Sequence, residues 1–92
     1  MFEWDEAKAA SNLQKHAVSF EEAATVFEDA LSVCFPDPEH SDAEDRLILV
    51  GYSVQERLLF VSHRELSQNI RIISARLATP FERKRHEEHI RF

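Results

Sequence analysis

The sequence has one glycine, three prolines, one cysteine, one methionine, one tryptophan and one tyrosine in 92 residues. A single glycine excludes the glycine-rich loops that cradle nucleotide phosphates, and with only three prolines it leaves no long flexible linker. The lone Cys34 excludes an internal disulfide; between Val33 and Phe35 it reads as a small buried apolar residue within a strand. No apolar run is longer than Leu47–Val50, far short of the roughly 18 residues that span a bilayer. The first residues lack a basic leader followed by an apolar stretch, so the expectation is a cytoplasmic protein with no membrane contact. No serine stands in a nucleophile-elbow context.

Basic residues are also few. Eleven Lys and Arg face seventeen Asp and Glu, for a net charge of −6, which taken alone speaks against a nucleic-acid partner. The average conceals a division. Residues 1–45 carry twelve acidic residues and only Lys8 and Lys15 as basic ones, whereas residues 46–92 carry nine basic and five acidic. The basic half is therefore the candidate surface for phosphate, and the acidic half for a basic partner. What the chain has in quantity is core material: Leu, Ile, Val and Phe make up 26 of its residues, too many for a disordered acidic chain. The length suits one domain, residues 1–92.

Along the chain, Phe2–Trp4 reads as an edge strand and Asp5 as the cap of a helix over 6–16 whose Ala7, Ala10 and Leu13 form a narrow packing stripe. Ser19 and Glu22 form a capping box, and Phe20, Ala23, Ala24 and Phe27 place one apolar face on a second helix running to about Asp29. Leu31–Phe35 is a short strand ending at Pro36, and a polar loop containing His40 follows to Asp45. Three β-rich runs, Arg46–Ser53, Arg57–Glu65 and Asn69–Ala75, are joined by connectors short enough for hairpins. Thr79-Pro80-Phe81-Glu82 then opens a highly charged last helix, anchored only by Phe81 and Ile90. The order β-α-α-β-β-β-β-α predicts an α+β fold: a short first strand and a two-helix hairpin packed on a mainly antiparallel sheet, with a C-terminal helix.

Chemistry is carried by Arg and His on the strands. His63, Arg71 and Arg76 lie on or at the end of strands, Glu65 shares the face of His63, and His86 or Arg83 is available from the last helix. Such a set suits RNA cleavage: the 2′-OH loses a proton, the leaving 5′-oxygen gains one, and fixed guanidinium groups meet the phosphorane charge. Ordinary ion pairing of surface arginines is the competing reading. His86 and His89 are three apart on a helix but lack a third ligand, so no metal and no cofactor is expected.

Several stretches resemble the BrnT family. They are Phe2-Glu3-Trp4-Asp5-Glu6-Ala7-Lys8, Asn12, Lys15-His16, Val18-Ser19-Phe20-Glu21-Glu22-Ala23, Phe27-Glu28-Asp29, Asp37-Pro38, Glu44-Asp45-Arg46, Gly51, Leu58-Leu59, Ala78-Thr79 and Glu82-Arg83. The most specific is Ile70-Arg71-Ile72-Ile73-Ser74-Ala75-Arg76. The resemblance implies a RelE-like endoribonuclease toxin of a bacterial type II toxin–antitoxin pair, blocking translation by cutting RNA. Its implied partner is a BrnA-like ribbon-helix-helix antitoxin, through which the complex binds operator DNA. It further implies that Arg46, Glu65, Arg71 and Arg76 lie near the RNA, with Lys8, Lys15 and His16 next. Three positions depart from the family pattern: Ala17 stands for the usual Gly, Leu66 for an Arg, and His86 for an aromatic, usually Tyr. The last two favour an alternative, a catalytically weak or inactive module that pairs with its antitoxin and co-represses transcription.

Overall fold

A computed structural model describes residues 1–39 and 45–89; His40, Glu44 and Ile90, named above, lie outside the described residues. The elements are β1 (Phe2–Glu3), α1 (Glu6–His16), α2 (Phe20–Thr25) continued by a 3₁₀ turn (Val26–Glu28), β2 (Val33–Pro36), β3 (Arg46–Tyr52), β4 (Leu58–Glu65), β5 (Ile70–Leu77) and α3 (Pro80–His89). They build an α+β fold on one five-stranded sheet in the order β1-β5-β4-β3-β2. Among the described residues only the β1–β5 pair is parallel, so the sheet is mixed. β1 and β2 are its edges, and Pro36 ends β2 where its missing N–H costs no ladder bond.

Residues directly opposite on paired strands share a face, and faces alternate along each strand. One face holds the core. Leu49, Val61 and Ala75 stand in register across β3, β4 and β5 and are buried with Val18, Phe20, Ala23, Val26, Leu59 and Ile72. Phe2, Trp4, Ala9, Ala24 and Phe27 close its margins, with Trp4 edge-on to Phe20 at 5.9 Å between ring centres.

The register slips between Ser62 and His63. Ser62 pairs with Ser74 but His63 pairs with Ile72, so Ile73 is an extra residue in β5, a bulge. This slip has a large effect on the surface. Arg71 and Arg76 are five apart and would face opposite ways on a regular strand; with one residue inserted between them they share the face turned away from the core.

α1 docks differently from the expected stripe. Ala7 and Ala10 are exposed and Leu13 is 52% exposed, while the inward position belongs to Asn12. Its amide donates to the Ala75 carbonyl (2.8 Å) and the Val18 carbonyl (2.9 Å) and accepts from the Ala75 N–H (3.0 Å). Where β1 has ended, one side chain thus serves β5 as a substitute strand, satisfying backbone groups that burial would otherwise orphan. The helix is capped by Asp5, which accepts from the Ala7 and Lys8 N–H groups. It terminates at Ala17 in the left-handed region, φ 57°, where Gly avoids a strain of about 1 kcal/mol.

At the start of α2, Ser19 accepts from the Glu22 N–H (3.0 Å), but the Glu22 carboxylate does not return to the cap. It turns inward, takes the Ser53 hydroxyl at 2.7 Å and pairs with the Arg57 guanidinium. The helix gives way to the 3₁₀ turn at Val26, short of the expected Asp29. That turn lies close against β3: a Cβ on Gly51 would sit 2.8 Å from the Ser32 Cβ and 3.0 Å from Asp29 Oδ2 and Val26 Cγ1, so the only glycine marks a close backbone approach.

Two further expectations are corrected. Cys34 is exposed rather than buried, because β2 is an edge strand that the helices do not cover; partial desolvation and the Glu65 charge push its thiol up, away from a reactive thiolate. Phe81 does not anchor α3 and is 68% exposed; α3 is held by the buried His86 and by Glu82.

Candidate active site

The face opposite the core carries the charge. Arg46 of β3 pairs in register with Arg64 of β4, Arg64 with Arg71 of β5, and Arg71 with Glu3 of β1. Like charges directly opposite on a sheet repel, yet here three guanidinium groups cross three adjacent strands, each about 4.8 Å from the next. Glu3 neutralises one end, at 2.8 Å from Arg71. The Arg64 Nε is buried with no hydrogen-bond partner. Three arginines in register on one face are the electrostatic form of an anion site.

Arg76 lies on the same face, 4.5 Å above the Phe60 ring, and its two terminal nitrogens meet the Glu82 carboxylate at 2.8 and 3.0 Å. Glu82 also accepts from the Thr79 N–H, and Thr79 accepts from the Glu82 N–H, completing the capping box of α3. Held by Arg76, the Glu82 carboxyl drops to about 2. Arg76 therefore braces α3 across the sheet. A groove of about 340 Å³ runs between α3 and the sheet, walled by Val33, Phe35, Val50, Phe60, Phe81 and His86.

α1 closes the other flank. Lys8, Lys15 and His16 line a hollow of about 190 Å³ against Ile73 and Ser74 of β5. His16 also borders a smaller one of about 100 Å³ with Phe60, Ser62, Ser74 and Arg76. The two lysines of the acidic half thus stand beside the arginines of the basic half. Positive groups of the face come from both.

The expected convergence of His63 and Glu65 with Arg71 and Arg76 does not occur. His63 is fully buried on the core face, edge-on to Phe27 at 4.9 Å, and Glu65 follows it on that face, exposed, 4.0 Å from His63 Nε2. Burial pushes the His63 imidazole below its ordinary 6.5, so it sits neutral in the core. A histidine whose folded value is depressed binds its proton more readily unfolded. Stability is therefore expected to be complete above about pH 6.5, to fall as the pH drops below it, and to level off once the folded-state value is passed. Urea midpoints of the wild type and His63→Leu between pH 7.5 and 5 check this: the variant should lose part of the slope, and an equal slope in both would exclude His63 as its source.

His86 is also buried, 6.1 Å from the Tyr52 ring, and burial lowers it too; it faces the α3 groove, not the arginine row. Arg83 is exposed on α3 and donates to the Tyr52 hydroxyl at 3.4 Å, away from that row. Among the described residues no three His, Cys, Asp or Glu side chains stand close enough to hold a metal ion, and no helix is long and apolar enough to cross a membrane.

Sequence reasoning missed Arg64 and Ser62, and it named Asn12 only as part of the family resemblance, without its docking role. Arg64 was recoverable: once the two hairpins are drawn, Arg46, Arg64 and Arg71 fall opposite one another. Ser62 left no signal of its own, and the role of Asn12 lies in backbone bonds that its match to the family pattern does not reveal.

Comparison with known proteins agrees with this architecture. The family model described as the ribonuclease toxin BrnT of type II toxin–antitoxin systems matches residues 4–82, a span that includes α1, the whole sheet after β1 and the start of α3. The crystal structure of the Brucella abortus ribonuclease toxin BrnT, at 1.1 Å resolution, is similar with a TM-score of 0.68 and 26% identity, over 86% of this chain and 97% of that one. No curated protein matches in sequence. With more than half its length matched by one family model, and a fold shared with a solved representative, the chain belongs to the BrnT family of ribonuclease toxins of type II toxin–antitoxin systems, a class that implies an antitoxin partner.

Proposed function

We propose that this chain, as one domain over residues 1–92, is an endoribonuclease that lays RNA across the arginine face and cuts it by attack of a ribose 2′-OH on the adjacent phosphorus. The row Arg46–Arg64–Arg71 carries this reading, because guanidinium groups stay charged and donate paired hydrogen bonds to phosphate oxygens. Lys8 and Lys15 extend the positive strip. No cofactor is needed: the arginines and lysines supply the fixed charge that the phosphorane requires. Cleavage of cytoplasmic RNA in this way stops translation, in keeping with a RelE-like toxin. The partner is a BrnA-like ribbon-helix-helix antitoxin, and operator DNA is bound only through it.

A second reading has one observation in its favour. Each terminal nitrogen of Arg76 donates to Glu82, as suits a structural brace in a non-catalytic module that acts by pairing with its antitoxin. Purified protein incubated with a labelled oligoribonucleotide in excess EDTA decides between them. The expected result is a product ending in a 2′,3′-cyclic phosphate, and no product when the nucleotide 5′ to the cut is 2′-deoxy. Cleavage that ignores the 2′-deoxy substitution would overturn the chemistry, and an oligonucleotide left intact by wild type would select the binding module.

A further inference from the structure

We propose that His16 is the proton-transfer residue of this site, and that the small pocket beside it holds the scissile phosphate with its neighbouring 2′-hydroxyl. The proposal rests on the ribonuclease reading and deepens it. The pocket, about 100 Å³, opens on the arginine face and is lined by His16, Ile48, Phe60, Ser62, Ser74 and Arg76.

Its geometry is fixed by a short chain of contacts. Asn12 and His16 are four apart on α1 and so share one face of the helix. Asn12 is bonded to both backbone groups of Ala75, and Ser74 and Arg76, on either side of Ala75, point to the open face. The helix position that carries His16 is thereby set over these two side chains. The other two candidate histidines are removed by burial: His63 lies in the core on the far face and His86 under α3. Of the three, His16 alone is exposed beside Arg76.

A second observation points to a ligand. Ser62 is only 7% exposed and its Oγ has no hydrogen-bond partner, an expense that folded proteins usually avoid. Ser62 lines the pocket, where a phosphate oxygen would supply the missing partner. Charge favours the same occupant: Arg76 lines the pocket, and Lys8 and Lys15 line the adjoining hollow, which shares His16 and Ser74 with it. Among the described residues no carboxylate lines the pocket; Glu82, which pairs with Arg76, is not among the lining residues. Arg76 keeps its Nε–H and one Nη2–H beyond the bonds to Glu82 and the Leu77 carbonyl.

In the step this arrangement performs, an imidazole nitrogen of His16 takes the 2′-OH proton and O2′ bonds to phosphorus. The P–O5′ bond then breaks, and the imidazolium returns the proton to O5′. The products are a 2′,3′-cyclic phosphate and a 5′-hydroxyl, with no water consumed and no net proton released.

The test compares wild type, His16→Ala, His16→Gln and Ser62→Ala on a labelled oligoribonucleotide, with binding measured separately on its 2′-O-methyl form, which lacks the attacking proton. Both His16 variants should lose about 10²- to 10⁴-fold in cleavage, bind the 2′-O-methyl oligonucleotide as wild type does, keep their circular dichroism, and in His16→Ala recover activity with added imidazole. Ser62→Ala should lose about tenfold in cleavage with an unchanged or higher Tm, because it removes an unsatisfied buried hydroxyl. Wild-type cleavage retained in both His16 variants overturns the assignment alone. Absence of cleavage by wild type overturns the ribonuclease reading and this assignment with it.

Discussion

Replacement of Arg64 by Met is expected to weaken RNA binding by about ten- to a hundredfold, the worth of one or two charge-assisted hydrogen bonds, and at the same time to make the protein more stable. The two effects have one cause. Arg64 stands between Arg46 and Arg71 in register, so it feels both neighbours across the strand spacing, and its Nε is buried with no acceptor. Methionine keeps an unbranched stem over the sheet but removes the charge and the orphaned donor. Relief of opposed like charges is worth about 0.2–1 kcal/mol, which raises Tm by a few degrees in a chain of this size, at about 4–8 °C per kcal/mol. Fluorescence anisotropy of a labelled single-stranded oligoribonucleotide across a salt series reads the first effect. The slope of log affinity against log salt should become shallower by about 0.7 for each phosphate that the protein no longer neutralises. Unchanged affinity together with a lower Tm would mean that Arg64 is a structural residue and the row is not an RNA surface.

The largest loss of stability is expected at Arg57. The Glu22 side chain is 2% exposed and its charge is tolerated because Arg57 grips both carboxylate oxygens and Ser53 donates to one of them. This support lowers the Glu22 carboxyl, chiefly through the Arg57 hydrogen bonds. Arg57 also donates to the Ala17 carbonyl, so one guanidinium ties the α1–α2 connector, the first turn of α2 and the β3–β4 turn. Arg57→Ala leaves a carboxylate in the interior with a single hydroxyl partner. A half-broken buried pair costs about 3 kcal/mol, a Tm drop of roughly 10–20 °C. Because Glu22 titrates below its unfolded value, the pair stabilises above about pH 4.5 and its contribution is lost as the pH falls through the folded value. The deficit of the variant should therefore shrink in acid. Adding Glu22→Gln to Arg57→Ala should restore part of the stability at pH 7. Urea unfolding of the two variants measures both points, and a loss below about 1 kcal/mol at pH 7, the scale of an exposed pair, would show that Glu22 does not depend on its partner.

Much of the fold could be read from the chain because its signals are local. Asp5 and Thr79 cap as their positions suggest, and the strands fall within a few residues of their apolar runs, since short connectors leave hairpins little choice. The failures share a physical cause. Periodicity assumes that the inward face of a helix is its apolar face, yet α1 docks through the Asn12 amide and turns Leu13 outward. A capping-box pattern assigns a glutamate to its own helix end, yet Glu22 finds Arg57 across 35 residues and serves the tertiary structure instead. The site was the least legible. Arg71 and Arg76 share a face only because Ile73 is inserted, and a bulge has no composition of its own. His63 reads as a strand histidine facing the arginines, but it alternates with Leu59 and Val61 along β4 and so lies in the core; the bulge moves Arg71 off that face and leaves Ile72 opposite His63. The acidic average was uninformative, because the fold brings Lys8 and Lys15 to a hollow adjoining the one that Arg76 lines, and among the described residues only Glu3 and Glu82 are paired with Arg71 and Arg76 there.

The parallel pairing of Phe2 with Ile70 has a consequence for the order in which the protein is made. During synthesis at about 5–20 residues per second, β1 and α1 are complete for several seconds before the strand they dock on exists, and Asn12 has no Ala75 to bind. Non-local pairing of this kind is also intrinsically slow to form. Lys8, Lys15 and His16 therefore cannot meet Arg71 and Arg76 on a nascent chain that stops short of β5. A chain truncated before β5 is expected to lack the proposed site, so the assembly of that site waits on the last strand.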